Sequence, residues 1–106
     1  MANFVLLYSG GGMEESADAR AAAMQAWGAW FGSLGENLVD GGNPFTATTS
    51  HIEADGAVHA GPVGTMATGY SIIKAESLAA AVEVAKGCPV LQGGAQITVY
   101  ETAPVM

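Results

Sequence analysis

The sequence is short of basic residues, cysteines and long apolar runs. Its 106 residues include three basic side chains against ten acidic ones, a net charge of −7, and such a surplus repels phosphate backbones and anionic lipid headgroups. The single cysteine, Cys88, cannot form an internal disulfide, which is typical of a reducing compartment. No stretch approaches the roughly 20 apolar residues of a membrane helix. We therefore expect a cytoplasmic protein that binds neither nucleic acid nor membranes.

Several well-known catalytic motifs are also missing. A dinucleotide-binding GxGxxG loop would need glycine where Glu15 stands, and a GxSxG nucleophile turn would need glycine in place of Phe31. The chain contains no HExxH zinc motif, no paired CxxC and no phosphate-binding loop lysine. We accordingly expect no cofactor.

Half of the residues are apolar and fifteen are glycine, which is enough for one packed domain over residues 1–106 with many tight turns. "FVLLYS" (4–9) predicts a strand. Acids from Glu14 to Asp18 and the N-cap candidate Ser16 predict a helix start, and Gly35 predicts its end. The apolar face of this helix is expected to carry Met24, Trp27, Phe31 and Leu34.

The remaining segments complete a mixed pattern. "NLVDGGNPF" reads as a turn, and "FTATTSHIE" (45–53), "TGYSIIKA" (68–75) and "AQITVYETA" (95–103) read as strands. A helix capped by Ser77 is expected to bury Leu78, Ala81, Val82 and Ala85 before Gly87 and Pro89 end it. The order β-α-β-β-α-β is that of the ferredoxin-like α+β fold. Both helices would cover one sheet face, so we expect a homodimer that buries the other face, a dimeric α+β barrel.

The segment "HIEADGAVHAGPV" (51–63) contains both histidines of the chain. With Asp55 and Gly56 as a two-residue turn, Ile52 faces His59 and His51 faces Ala60, so the histidines lie on opposite faces and share no metal. A three-residue loop would instead shift the pairing by one, set Glu53 opposite His59 and bring all three side chains to one face. We favour the two-residue turn and expect no metal site.

Candidates for binding and catalysis follow from residue type. Trp27, Trp30 and Phe31 are expected to serve mainly in packing. Trp27 and Phe31, with Asp40 and Tyr70, are also the candidates for contact with a small apolar or aromatic ligand. His59 and His51 are the candidate acid–base groups, because histidine titrates near neutral pH.

Taken together, "FVLLYSG", "MQAWGAWFGSLGENLVDGGNPF", "GPV", "GYSIIKAESLAAAVEVAKGCPVL" and "GGAQITVYETAPV" resemble the DGPF-domain branch of the YCII-related proteins. The resemblance covers nearly the whole chain and implies a ferredoxin-like fold that pairs into a dimeric α+β barrel.

The resemblance also bears on function, because two family features are altered here. The DGPF signature appears as "AGPV", with Ala60 and Val63 in its outer places. Met24 stands where some members have a histidine that works with an aspartate in proton transfer. The resemblance therefore implies a dimeric ligand-binding protein without chemistry of its own. The alternative is a cofactor-free lyase, hydrolase or oxygenase that uses His59 or His51.

Overall fold

A computed structural model describes residues 1–11 and 16–104 of the chain. Four antiparallel strands form the main sheet in the order β2-β5-β1-β6, and a separate two-stranded ribbon joins β3 to β4. The strands are β1 Ala2–Gly10, β2 Leu38–Asp40, β3 Ser50–Ile52, β4 Val58–Ala60, β5 Ala67–Ala75 and β6 Ala95–Glu101. The helices are α1 Ala17–Leu34 and α2 Leu78–Ala85, with 3-10 helices at Gly35–Asn37 and Pro89–Gly93. The sheet and two helices confirm the ferredoxin-like α+β prediction.

One strand of the sheet differs from the sequence prediction. The second strand of the ferredoxin-like unit is β2, inside the segment expected to be a turn, whereas the Thr-rich 45–53 segment contributes only β3 to the ribbon. Three residues are too few to show alternation, yet Leu38 pairs with Ile73 and Asp40 pairs with Ile72 at the sheet edge. Strand propensity located only β3 within the 45–53 segment and missed β2, because tertiary pairing decided which segment enters the sheet.

The core lies between the sheet and the two helices. Phe4, Leu6 and Ile73 are fully buried on that face of β1 and β5, as period-two alternation requires. In α2 the small residues Ala81 and Ala85 face the core. Leu78 and Val82 are exposed, so their predicted burial is wrong. The alanine side of α2 is the one that faces the sheet.

Helix capping agrees with the sequence for the residues that the structure describes. The Ser16 hydroxyl accepts a hydrogen bond from the Ala19 amide at 3.0 Å, and Ser77 does the same for Ala80 at 3.1 Å. Gly35 ends α1 with φ of 54°, and its amide donates to the Phe31 carbonyl. The predicted acidic start at Glu14 and Glu15 lies outside the described residues.

The register of the β3–β4 ribbon differs from the one we favoured. His51 pairs with His59 and Ile52 pairs with Val58, so Ala54, Asp55 and Gly56 form a three-residue loop. The Glu53 amide donates to the Ala57 carbonyl, and Gly56 has φ of +94°, which suits the left-handed end of such a loop.

The correction changes which side chains share a face. The prediction that His51 and His59 point to opposite faces is wrong, and their rings stack with centroids 5.2 Å apart. The considered alternative was right in loop length and in placing Glu53 with both histidines. It was wrong in the opposing pair, because His51, not Glu53, faces His59.

Candidate ligand-binding cleft

A cleft of about 690 Å³ lies between α1 and the edge of the sheet. We call it the aromatic cleft. Residues of α1 form one wall, the segment Gly41–Pro44 and the start of β5 form the other, and Tyr8 of β1 lies at the base. Its lining comprises Tyr8, Met24, Trp27, Gly28, Phe31, Gly41, Gly42, Asn43, Pro44, Thr68, Gly69, Tyr70 and Val90.

Aromatic rings form the α1 wall of the cleft. The Trp27 ring centroid lies 5.5 Å from that of Phe31 and 5.8 Å from that of Tyr8, within the range of favourable aromatic pairs. Behind this wall the buried Trp30 ring donates from Nε1 to the Val84 carbonyl at 3.2 Å, which ties α1 to α2. Met24 is 75 % exposed at the rim of the cleft, so it does not belong to the buried apolar face that we predicted.

Glycines allow the opposite wall to approach β5 closely. A Cβ atom on Gly42 would lie 1.7 Å from the Tyr70 carbonyl oxygen, and one on Gly41 would lie 3.2 Å from the Phe31 ring. From the β5 side, a Cβ on Gly69 would meet the Asn43 carbonyl oxygen at 3.2 Å. Gly42 and Gly69 therefore let the 41–44 segment lie against β5, and Gly41 lets the same segment lie against the Phe31 ring.

Asp40 connects this wall to Tyr70. One carboxylate oxygen accepts from the Gly42 amide at 2.8 Å, and the other accepts from the Tyr70 hydroxyl at 3.2 Å. The hydrogen bond to Asp40 and the charge of that carboxylate raise the pKa of Tyr70. The Tyr70 hydroxyl therefore stays protonated at neutral pH and is held toward the carboxylate.

A buried hydrogen-bond chain supports the base of the cleft. The Tyr8 hydroxyl donates to Ser71 Oγ at 2.7 Å, and Ser71 Oγ donates to the Gly41 carbonyl at 2.8 Å. Cys88, which is also buried, donates its thiol to the Tyr8 hydroxyl at 3.5 Å. Burial raises the pKa of both Tyr8 and Cys88, so each remains neutral near pH 7. Ser71, Tyr8 and Cys88 thus supply neutral polar contacts beneath an apolar cavity.

A second cleft of about 530 Å³ adjoins the first. We call it the alanine cleft. Among its lining residues, Trp27, Pro44, Thr68 and Val90 also line the aromatic cleft. The rest is dominated by small side chains, including Ala19, Ala22, Ala23, Ala26 and Ala95. Trp27 therefore stands where the two clefts meet.

The sequence-derived ligand candidates come together in this region. Trp27, Phe31 and Tyr70 line the aromatic cleft, and Asp40 is joined to it through Tyr70. Sequence reasoning did not single out Tyr8, although alternation along β1 was available to place its side chain inside. The Gly41–Gly42 wall was also missed, because "VDGG" reads equally well as an ordinary turn.

The two candidate catalytic histidines lie elsewhere, on the β3–β4 ribbon. Neither is among the described residues that line the two clefts. His59 Nε2 lies 3.4 Å from a Glu53 carboxylate oxygen, with both side chains about half exposed. The other histidine, His51, has Nδ1 3.0 Å from the Gly61 carbonyl oxygen. Because a carbonyl can only accept, His51 must donate from Nδ1.

No family model matches the sequence, and no curated protein shows significant sequence similarity to it. Among solved structures, the chain is similar to 5-chloro-2-hydroxyhydroquinone dehydrochlorinase (TftG) from Burkholderia phenoliruptrix AC1100, in complex with 2,5-dihydroxybenzoquinone. The TM-score is 0.57 at 16 % identity, covering 95 % of this chain and 93 % of the other. This similarity supports the YCII-related resemblance at the level of the fold. None of the helices described is long and apolar enough to cross a membrane.

Proposed function

We propose that this chain is a DGPF-type YCII-like protein that binds a small, flat, apolar or aromatic molecule in the aromatic cleft without chemistry of its own. The observation that carries the proposal is the Trp27–Phe31 wall facing the glycine segment across a cavity of about 690 Å³. Pockets of this size, mostly apolar with a few placed polar groups, are typical of small-molecule sites.

The electrostatics of the cleft support binding of a neutral ring. Tyr8 and Cys88, buried beneath the cleft, have raised pKa values and are uncharged at neutral pH. These two groups therefore place no charge under a bound ring.

Gly28 offers a direct test, because it lines the cleft and a Cβ there would meet no atom within 4 Å. Gly28→Leu should place a side chain in the cavity while stabilising α1 by up to about 1 kcal/mol. Gly32→Leu is the matched control, since Gly32 lies one turn further along α1, also has open space, and does not line the cleft.

Binding is measured by calorimetry with hydroquinone and indole as neutral probes, and for hydroquinone also by quenching of tryptophan fluorescence. We expect the wild type and Gly32→Leu to bind at least one probe alike, and Gly28→Leu to lose tenfold or more in affinity. Equal binding by both variants would place the ligand outside this cleft.

We also propose that the chain forms a homodimer through the sheet face that carries no helix. Val5, Leu7 and Ile72 alternate with core residues and so point to that face, where Tyr100 is 53 % exposed. A contiguous apolar surface of this kind is characteristic of an interface.

Light scattering should give a doubled mass, and Leu7→Lys should give the monomer mass. Ala29→Lys, on the exposed surface of α1, should remain dimeric.

A second candidate function is acid–base catalysis by His59 or His51. The observation in its favour is the 3.4 Å approach of Glu53 to His59, because carboxylate-paired histidines are common general bases. Turnover of chlorinated hydroquinones would reveal such an activity. His59→Gln should then lower the rate by about 10²–10⁴-fold. Turnover that survives His59→Gln within a factor of a few, but not His51→Gln, would transfer the role to His51.

A further inference from the structure

The two histidines of the ribbon form a cross-strand pair whose geometry suits a shared metal ion. His51 and His59 are directly opposite in the β3–β4 register, where opposed Cβ atoms lie about 4.5–5.5 Å apart. Their ring centroids are 5.2 Å apart. Zn–N bonds of about 2.0–2.1 Å at tetrahedral angles place two ligating imidazole centres about 5 Å apart, so the spacing already agrees.

Each imidazole is held at one nitrogen and leaves the other for a ligand. His51 donates from Nδ1 to the Gly61 carbonyl at 3.0 Å, which leaves the lone pair on Nε2. His59 has Nε2 3.4 Å from the Glu53 carboxylate, which favours a proton on Nε2 and a lone pair on Nδ1. Metal-binding histidines usually donate their second ring N–H to a backbone carbonyl or a carboxylate in this way.

We propose that His51 and His59 together bind one divalent transition-metal ion, Zn²⁺, Ni²⁺ or Cu²⁺, with Glu53 as the orienting carboxylate and water completing the coordination. Imidazole suits these three ions better than Ca²⁺ or Mg²⁺, which prefer oxygen. The site is distinct from the aromatic cleft, because none of these three side chains lines it. It also replaces our sequence expectation of no metal site, which rested on the wrong register.

The ribbon offers two histidine ligands, whose rings are oriented by Glu53 and by the Gly61 carbonyl. Within residues 1–11 and 16–104, no three His, Cys, Asp or Glu side chains form a ready-made cage. The rings are stacked at 29°, so they must tilt toward each other to share an ion. The His59 side chain is half exposed, and its ring can rotate about the last side-chain torsion at little energetic cost. Binding should therefore be reversible and readily competed by chelators.

The test is calorimetric titration of the full chain with ZnCl₂ and NiCl₂ at neutral pH, with histidine NMR resonances as a second readout. We expect one ion per chain and selective shifts of the His51 and His59 ring signals. His51→Ala and His59→Ala should each weaken binding by tenfold or more. Glu53→Gln should weaken it by a smaller factor than either, because Glu53 orients the His59 ring without binding the ion. Val58→Thr, on the opposite face of the ribbon, is the control and should bind like wild type.

Two results would overturn the proposal. One is the absence of saturable binding by the wild type up to millimolar metal. The other is unchanged affinity in the His51→Ala/His59→Ala double variant, which would assign the ion to surface carboxylates. The single and double histidine variants alter partly exposed side chains of the ribbon, so circular dichroism should show an intact fold. Failure of either kind leaves the aromatic-cleft proposal untouched, because the cleft is tested with organic ligands alone.

Discussion

Replacement of Gly42 by alanine should be among the most destabilising single-methyl changes in this chain. The new Cβ would lie 1.7 Å from the Tyr70 carbonyl oxygen and 2.7 Å from its carbon. Both neighbours are backbone atoms of a sheet strand, so the 41–44 segment must move outward by more than an ångström. Gly42 also has φ of +75°, where an L-residue is strained by about 1–2 kcal/mol.

The displacement acts on the bonds that anchor this segment. The Gly42 amide bond to Asp40 and the Ser71 bond to the Gly41 carbonyl, both 2.8 Å, would lengthen or break. Each is worth about 0.5–1.5 kcal/mol net, and a buried Ser71 O–H left without an acceptor costs about 1–3 kcal/mol. With the backbone strain, Gly42→Ala should lower the free energy of unfolding by about 3–5 kcal/mol.

Gly64 provides a matched control. Its φ is +74°, nearly that of Gly42, but a Cβ there would meet nothing within 4 Å. Gly64→Ala should therefore cost only the backbone strain, about 1–2 kcal/mol. The difference between the two variants isolates the contact with Tyr70.

Urea unfolding followed by circular dichroism measures both losses, and melting temperatures give an independent check at about 4 °C or more per kcal/mol. If the two variants lose the same free energy within about 0.5 kcal/mol, the segment does not depend on its close approach to β5. The cleft wall would then be softer than the structure implies, and the reasoning would be refuted.

Two further predictions concern the polar groups around the cleft. Asp40→Asn weakens the hydrogen bond and removes the charge that together raise the pKa of Tyr70. Phenolate absorbance should therefore show one tyrosine titrating at lower pH than in wild type, a difference that Tyr70→Phe abolishes. Burial raises the pKa of Tyr8 in the fold above its unfolded value of about 10. Stability from the neutral phenol is thus complete below about pH 10 and falls as pH rises above it, because the unfolded chain ionises first. Tyr8→Phe should lower the free energy of unfolding by about 0.5–1.5 kcal/mol at pH 7. In urea unfolding the variant should then lose less stability than wild type as pH rises above about 10. An unchanged pH dependence would contradict burial as the cause of the raised Tyr8 pKa.

Local signals predicted much of the fold. The apolar, β-prone runs "FVLLYS" and "TGYSIIKA" located the two central strands, because such residues are enriched in strands. Ser16, Gly35 and Ser77 marked helix ends, because capping is a short-range interaction between a side chain and nearby amides. These features can be predicted from the sequence because the residues that determine them lie within a few positions of one another.

The candidate cleft could be predicted only in part. Trp27, Phe31 and Tyr70 were identified by residue type, but their meeting depends on α1 crossing the sheet beside β5. Gly42 was an ordinary turn residue until the structure brought the Tyr70 carbonyl against it. Contacts between residues distant in sequence leave no periodic trace in a single chain.

The ribbon shows the same division between sequence and structure. The sequence by itself determined that "HIEADGAVHA" would form a hairpin with Asp55 and Gly56 in its turn. It could not decide between a two- and a three-residue loop, because both place glycine where positive φ is needed. The structure has the longer loop, and that one-residue shift moves every side chain of one strand to the other face relative to its partner. A register difference of a single residue therefore decides whether His51 and His59 lie apart or together.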